Sequence, residues 1–346
     1  APPTATVVAV PTATAAVAPT NTSMAVPAAP PGTATARAGA ELVRVGQAAA
    51  REVAPAPDGA LFVVAEGGLF KAGAGGTPER RAAAAPPPNL LALDGERLVG
   101  GAMIACMRGG GGTPLQVSED GGRSWRQASQ GGKPLEATPW LARPGEVYAL
   151  SCGGVHRSRD GGRTYEVTPQ LAEQDYDPKE LALGPDGATA YAAGVSEGGT
   201  VRVIRAERRG EGWSAATPIE TTWAAAALAV GADGRVWLGT SNDVRVSADR
   251  GASWRSMRQG LEAELLASDP TKGQLTADDQ RKLREGYGLS DLAVVGASVY
   301  AATSHGVYVG PTWRKVAGPS GKVTKLQVAG QTLYATTADG VYRIAT

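Results

Sequence analysis

The sequence predicts an all-β fold in which seven four-stranded antiparallel sheets close into a ring. Three observations carry that expectation. A phrase with the pattern S-x-D-x-G-x-[S/T]-aromatic is written three times. A strand–turn–strand unit with one aromatic slot recurs seven times along residues 41–346. The chain also ends one strand short of a complete unit, and a lone β-rich stretch near its start can supply the missing strand.

The phrase comprises Ser118, Asp120, Gly122 and Trp125, then Ser158, Asp160, Gly162 and Tyr165, then Ser247, Asp249, Gly251 and Trp254. The second copy begins 40 residues after the first and the third 89 after the second, near multiples of one period. Self-similarity at such a period signals a repeat architecture. The chemistry of the phrase is that of a turn. An aspartate at its start can accept backbone N–H groups one or two residues on. The glycine takes a positive φ without a Cβ clash, and the aromatic returns the chain to apolar packing.

The aromatic slot of the wider unit holds Phe62, Val99, Tyr148, Tyr191, Trp237, Tyr300 and Tyr334, with Val99 the one lapse. Turns precede it at Asp58-Gly59, Asp94-Gly95, Pro144-Gly145, Asp186-Gly187, Asp233-Gly234, Gly296-Ala297 and Gly330-Gln331. Asp-Gly between alternating apolar residues is a strong hairpin signal. A third apolar stretch follows each slot, for example Val201–Ile204, Val244–Val246, Val307–Val309 and Val341–Ile344. With a fourth strand after the repeated phrase, each unit is one blade of a β-propeller. The 306 residues from 41 to 346 divide into seven blades of about 44, inside the usual range for blade repeats. The last unit stops at its third strand, so Leu42–Val45 is expected to complete the seventh blade and remove the open edge.

Residues 1–40 are expected to be a disordered stalk or linker. They are almost wholly Ala, Pro, Thr and Val, with no charged residue before Arg37. Such a composition buries too little apolar surface to offset its ordering entropy, and Thr/Pro-rich segments of this kind often serve as extracellular stalks. The chain begins with Ala, so a removed signal peptide is expected, and with it an exported protein, extracellular, at the cell surface or periplasmic. A lipid anchor on the removed segment would fit; a boundary inside a longer cytosolic protein is the alternative. A net charge of +1 implies neither nucleic acid nor an anionic membrane as partner. No apolar run approaches the length of a transmembrane helix. The two cysteines, Cys106 and Cys152, fall after the second strands of consecutive blades, where they form either a disulfide or two buried thiols. Neither a metal nor a cofactor is expected, for no suitable histidine accompanies them.

The thrice-written phrase resembles the Asp box, the bacterial neuraminidase repeat of sialidase-like β-propellers. That resemblance implies a turn between the third and fourth strands of a blade, opposite the usual ligand face, and a structural role for Asp120, Asp160 and Asp249. The ligand face would then carry the turns between second and third strands. Most of those are short and Gly/Ser-rich. The second, Gly101–Thr113, is long, and Met103, Met107 and Arg108 make it a candidate partner contact. A second outlier is residues 259–287 between blades five and six, where Thr276 and the acids after it predict a surface helix. Its Leu265, Leu266 and Tyr287, with Leu261, are the other contact candidates, a family-specific decoration being the alternative. Loops carry function on rigid scaffolds.

Sialidases need an arginine cluster, a Tyr/Glu nucleophile pair and an acidic proton donor. The Arg-Ile/Leu-Pro motif that carries their first arginine is missing from this sequence. Glycoside hydrolysis needs two carboxyls about 5–9.5 Å apart, and nothing in the sequence pairs any two of Glu66, Glu197, Asp243 and Asp339. No catalytic residue is therefore named, and His156 and His305 read as a strand residue and a turn residue. The layout is similar also to the photosystem II stability/assembly factor family of exported or lumenal propellers, which bind membrane protein subunits. The expectation is a non-enzymatic exported binding or assembly module with a protein partner, such as a membrane complex. The alternative is a carbohydrate-active protein, a glycoside hydrolase or lectin of the sialidase-like superfamily, for which the ligand is a glycan.

Overall fold

The computed structural model describes residues 40–73, 77–103, 112–152, 154–171, 176–196, 200–222, 227–240, 243–261 and 288–346. The stalk expected at residues 1–40 lies outside them except for Ala40. One compact unit spans Arg37–Thr346.

Seven antiparallel sheets follow one another along the chain as the blades of a β-propeller. Blade 1 is Glu52–Pro55, Leu61–Ala65, Gly68–Ala72 and Glu79–Ala82; blade 2 is Leu91–Ala92, Leu98–Met103, Gly112–Ser118 and Arg126–Gln127. Blade 3 is Thr138–Arg143, Glu146–Ser151, Gly154–Ser158 and Glu166–Val167. Blade 4 is Tyr176–Leu183, Thr189–Ser196 and Val201–Arg209, with Gly212–Trp213 and Thr217–Thr222 both pairing the third strand. Blade 5 is Ala227–Val230, Val236–Gly239, Val244–Ser247 and Arg255–Ser256, and blade 6 is Asp291–Val295, Ser298–Thr303, Gly306–Gly310 and Arg314–Lys315. Blade 7 takes Val323–Ala329, Thr332–Thr337 and Gly340–Ala345 from the end of the chain and Ala40–Leu42 from its beginning.

The closing strand is shifted from its expected place. Ala40, Glu41 and Leu42 pair with Ile344, Arg343 and Tyr342. Val45 instead joins a two-stranded ribbon, Arg44–Val45 against Ala48–Ala49, that leads into blade 1. The turn at Gly46, with φ +59, sets this boundary.

Every residue of the aromatic slot lies on a second strand and is at least nine-tenths buried. Side chains alternate across a strand, so a sheet covered on both faces contributes to two cores. The protein accordingly has seven apolar clusters, each spanning one pair of adjacent blades. Five of these seams also receive an indole or phenol from beyond a third strand: Trp125, Tyr165, Trp213, Trp254 and Trp313. Burying such a ring contributes about 1.5–3 kcal/mol. The seams flanking blade 7 lack this wedge and rely on aliphatic side chains with Tyr300 and Tyr334.

Candidate functional site

The three repeated phrases fold identically. In the first, the Ser118 hydroxyl donates to Asp120 Oδ1 at 2.8 Å and accepts the Gly122 N–H at 2.7 Å. Asp120 Oδ1 also accepts the Ser124 N–H at 2.9 Å, and Oδ2 the Ser124 hydroxyl at 2.5 Å. Ser158, Asp160, Gly162 and Thr164 repeat that circuit at 2.8, 2.8, 2.9 and 2.6 Å. Ser247, Asp249, Gly251 and Ser253 do so at 2.7, 2.7, 2.8 and 2.6 Å. The aspartate thus reaches four residues ahead, and at Asp160 also three, to the Arg163 N–H at 3.0 Å, not one or two: the serine takes the Gly122 N–H and Glu96 O takes that of Gly121. Burial of Asp120 works against its charge, but the hydrogen bonds from Ser124 and Ser118 prevail and hold its carboxyl at about 2. For Asp249 the Ser253 hydroxyl and N–H dominate, with the same outcome of about 2.

Each phrase also joins two blades. Trp125, Tyr165 and Trp254 enter the seam with the preceding blade. Arg123 donates to Glu79 of blade 1 at 3.2 Å, and Arg163 to Glu119 of blade 2. Antiparallel order puts these turns at the end of each blade opposite the turns between second and third strands. The serine, the aspartate and the following Ser or Thr of each phrase are engaged in the turn, while the buried Tyr165 hydroxyl has no partner among the described residues.

The first strands line the central channel, a cavity of about 980 Å³. They start at the face bearing the turns between second and third strands, here called the top. Sequence reasoning missed three acids on these strands, Glu52 and Asp291 at their top ends and Glu180 within Tyr176–Leu183. Glu52 Oε1 accepts the N–H of Leu90 at 2.5 Å, Glu180 that of Leu228, and Asp291 Oδ2 that of Leu326 at 2.7 Å. Each bond runs from one blade to the next. Asp291 Oδ1 also takes the N–H of Leu292 at 2.8 Å. Trp140 links blade 3 to blade 4 through its indole N–H and the Leu181 carbonyl at 2.9 Å. Its backbone is displaced by a bulge between Pro139 and Leu141, which re-aims the ring along the channel wall. The sequence signal is an acid before an aliphatic residue and an alanine: Glu52-Val53-Ala54, Glu180-Leu181-Ala182 and Asp291-Leu292-Ala293.

Burial raises all three carboxyls. Glu52 is raised in spite of the Leu90 N–H, and Glu180 well above the ordinary range, by burial and then by the charge of Asp291. Asp291 is pushed up to about 6 in spite of its two N–H donors.

Of the acids named from sequence, Asp243 is buried and committed, accepting the Ser256 hydroxyl at 2.8 Å and the Arg245 guanidinium at 3.2 Å. Glu66 and Asp339 border a smaller top-face groove of about 380 Å³ at the closing seam, beside Arg51. Glu197 lies outside the described residues. His156 sits in the third strand of blade 3, 2% exposed, with Nε2 at 2.6 Å from Ser151 Oγ. Burial lowers its pKa to about 4, and its Nδ1 has no partner among the described residues. His305 lies in the second-to-third-strand turn of blade 6, with Nδ1 at 2.9 Å from Ser304 Oγ. Among the described residues no group of three or more His, Cys, Asp or Glu could hold a metal ion.

Of the candidate contact residues, Met103 ends the second strand of blade 2, half-buried, its N–H donated to Thr138 Oγ1 at 3.1 Å. Met107, Arg108, Leu265, Leu266 and Tyr287 lie outside the described residues. Leu261 is wholly buried in the seam between blades 5 and 6 with Leu289 and Trp313, so it offers nothing to a partner. Cys152 is disulfide-bonded; the sequence has one other cysteine, Cys106, outside the described residues. Among the described residues, the exposed large apolar side chains are the isolated Val167 and Val328, and no helix is long and apolar enough to cross a membrane.

No protein-family model and no curated protein matches the sequence. Solved structures do share the fold. An ancestral GH74 enzyme matches with a TM-score of 0.61 at 17% identity, over 86% of this chain and 48% of that one. The extracellular domain of a one component system from B. thetaiotaomicron gives 0.58 at 11% identity, over 88% of this chain and 40% of that one. A virginiamycin B lyase from Staphylococcus aureus gives 0.54 at 10% identity, covering 89% and 99%. The chain spans about half the length, or less, of the first two. Identities this low establish the propeller and nothing finer.

Proposed function

We propose that the protein is an exported, non-enzymatic binding module of the Asp-box, sialidase-like kind. In this reading it holds a protein partner, such as a membrane complex, at the cell surface or membrane through its top face and the 259–287 insertion. The observation that supports it most is how the polar groups are used. The first-strand acids Glu52, Glu180 and Asp291 bond backbone N–H groups of neighbouring blades. Asp243 is engaged by Arg245 and Ser256, and Ser151 and His156 are both at least 95% buried. Groups committed to holding a ring together are poorly placed for proton transfer to a substrate. Contact then falls to the loops, and Met103, Met107, Arg108, Leu265, Leu266 and Tyr287 are the residues assigned to it. The Ala/Pro/Thr-rich start of the sequence favours export.

One observation favours the second reading, a glycan-binding or glycan-cleaving protein. Glu180 and Asp291 line the same cavity as Trp140, and a carboxyl of raised pKa beside an aromatic wall suits a sugar. Gentle detergent extraction from native membranes, followed by sizing and mass spectrometry, tests the first reading. A stoichiometric partner lost on substituting Leu265 and Leu266 supports it. A free monomer that binds or cleaves soluble polysaccharides, and fails to when Glu180 is replaced by Gln, replaces it with the second.

A further inference from the structure

Three carboxyls occupy one slot of the ring. Glu52 and Asp291 open their first strands and Glu180 lies within its own; each stands two residues before the partner of the aromatic slot, precedes a buried aliphatic residue and binds the N–H found in the next blade's corresponding position. Blade 7 puts Lys325 there instead, immediately before Leu326. Among the described residues none of the three carboxyls forms a salt bridge; the ion pairs lie elsewhere, as at Arg208–Glu146 and Lys71–Glu96. The charged side chains lining the channel are Glu180, Asp291 and Lys325. Glu52 stands close enough for Lys325 to act on it. Tyr334 is the remaining titratable lining group, and blades 2, 3 and 5 bring only Asn89–Ala92, Thr138–Ala142 and Leu228. Among the described residues two carboxyls and one ammonium therefore line the channel, with Glu52 near that ammonium, so the carboxyls outnumber the cation and resist full ionisation.

We infer that this ring is an acid-strengthened clamp: as the solution turns from neutral to mildly acid, its carboxyls take up protons, repulsion across the channel falls, and the seams between blades 4 and 5 and between 6 and 7 hold harder. A protonated carboxyl keeps its carbonyl oxygen as acceptor, so the Glu180 bond to Leu228 survives protonation. Asp291, with two donors, keeps at least one. The sign follows from linkage. A carboxyl raised in the folded state adds stability as the pH falls through its folded value, and the gain is complete below its unfolded value. For Asp291 the window runs from about 6 to 3.8; Glu180, raised well above its ordinary value by burial and then by the charge of Asp291, gains in the same direction. His156, lowered from 6.5 to about 4, acts in the opposite sense over the same range, so wild type and variants must be compared at each pH.

The test is the thermal midpoint of the full chain at pH 7.5 and 5.0 for wild type, Glu180→Gln and Lys325→Met. Glutamine keeps the acceptor for Leu228 and removes the charge. The clamp requires Glu180→Gln to melt about 2–6 °C above wild type at pH 7.5, with the gap closing at pH 5.0. It requires Lys325→Met to melt below wild type at pH 7.5, with that gap also narrowing at pH 5.0. A Glu180→Gln midpoint lower than wild type by the same amount at both pH values overturns the inference. So does a Lys325→Met gap that does not change with pH, and this second variant decides alone if Glu180→Gln fails to fold.

Discussion

A β-carbon on Gly122 would lie 2.1 Å from Cδ2 of Leu69, a wholly buried side chain of the preceding blade. Gly162 meets Val99 Cγ2 at 2.7 Å in the same way, and Gly251 meets Ile219 Cδ1 at 2.4 Å. The glycine of the repeated phrase is thus fixed twice over, by its positive φ and by the blade packed against it. Gly122→Ala, at φ +87, is expected to cost about 3 kcal/mol or more in denaturant unfolding. Gly131→Ala is the comparison, with φ +56 and nothing within 4 Å, and should cost only about 1 kcal/mol. Equal losses would show that the close approach to Leu69 contributes nothing.

Within the phrase, the serine matters more than the charge of the aspartate. Ser158 Oγ is the acceptor of the buried Gly162 N–H and the donor to Asp160. Ser158→Ala leaves that N–H without a partner and should cost about 1–3 kcal/mol. Asp160→Asn keeps one oxygen for the Thr164 N–H, and the Thr164 hydroxyl can turn to suit the amide. Its loss should be the smaller of the two in parallel urea titrations at pH 7, and the reverse order would refute this division of roles.

Acid should find a weak point in blade 3. His156 is neutral and buried in the fold, its pKa lowered from 6.5 to about 4 by burial. The unfolded chain therefore takes up the proton first as the pH falls. Stability from this residue is complete above about pH 6.5 and is lost towards pH 4, by on the order of 2–3 kcal/mol. His156→Gln should lose less stability than wild type between those pH values. If the two curves stay parallel, His156 is not the group that titrates.

The parts of the fold legible in the sequence were those written locally. Asp-Gly turns and the aromatic slot recur within one unit of chain, so Phe62, Tyr148 and Tyr334 could be placed on second strands before any pairing was known. The bonds of the channel were not legible, because each joins one acid to a backbone group in another blade: Glu52 to Leu90, Asp291 to Leu326. An acid opening an apolar strand looks like ordinary alternation until the ring brings the next strand beside it. Leu261 reads as an exposed insertion residue for a similar reason, since its partners Leu289 and Trp313 lie beyond the insertion. The reach of Asp120 was not legible because the Ser118 hydroxyl competes for the Gly122 N–H, a contact that only the folded turn brings about.

The ring is closed by few contacts, and that makes its weakest seam predictable. Ala40, Glu41 and Leu42 are the whole of the closing strand. Ala40 also donates its N–H to Ala317 O at 3.1 Å and packs into the seam between blades 6 and 7. Val43 continues the contact by donating to Val341 O at 2.8 Å, and Val341 in turn donates to Ala50 O at 3.0 Å, tying blade 7 to the entry of blade 1. The Arg343–Glu41 ion pair across the strands is exposed and adds little. Deleting residues 40–46 would uncover the Gly340–Ala345 strand as an open edge, and such an edge pairs with other chains. The deletion is expected to lower the melting midpoint sharply and to make the protein associate as its concentration rises, read by calorimetry and light scattering. A chain lacking only residues 1–36, which stand outside the compact unit, should melt as the full chain does. An unchanged midpoint in the first variant would mean that the ring is held by its seams alone and that the closing strand is dispensable.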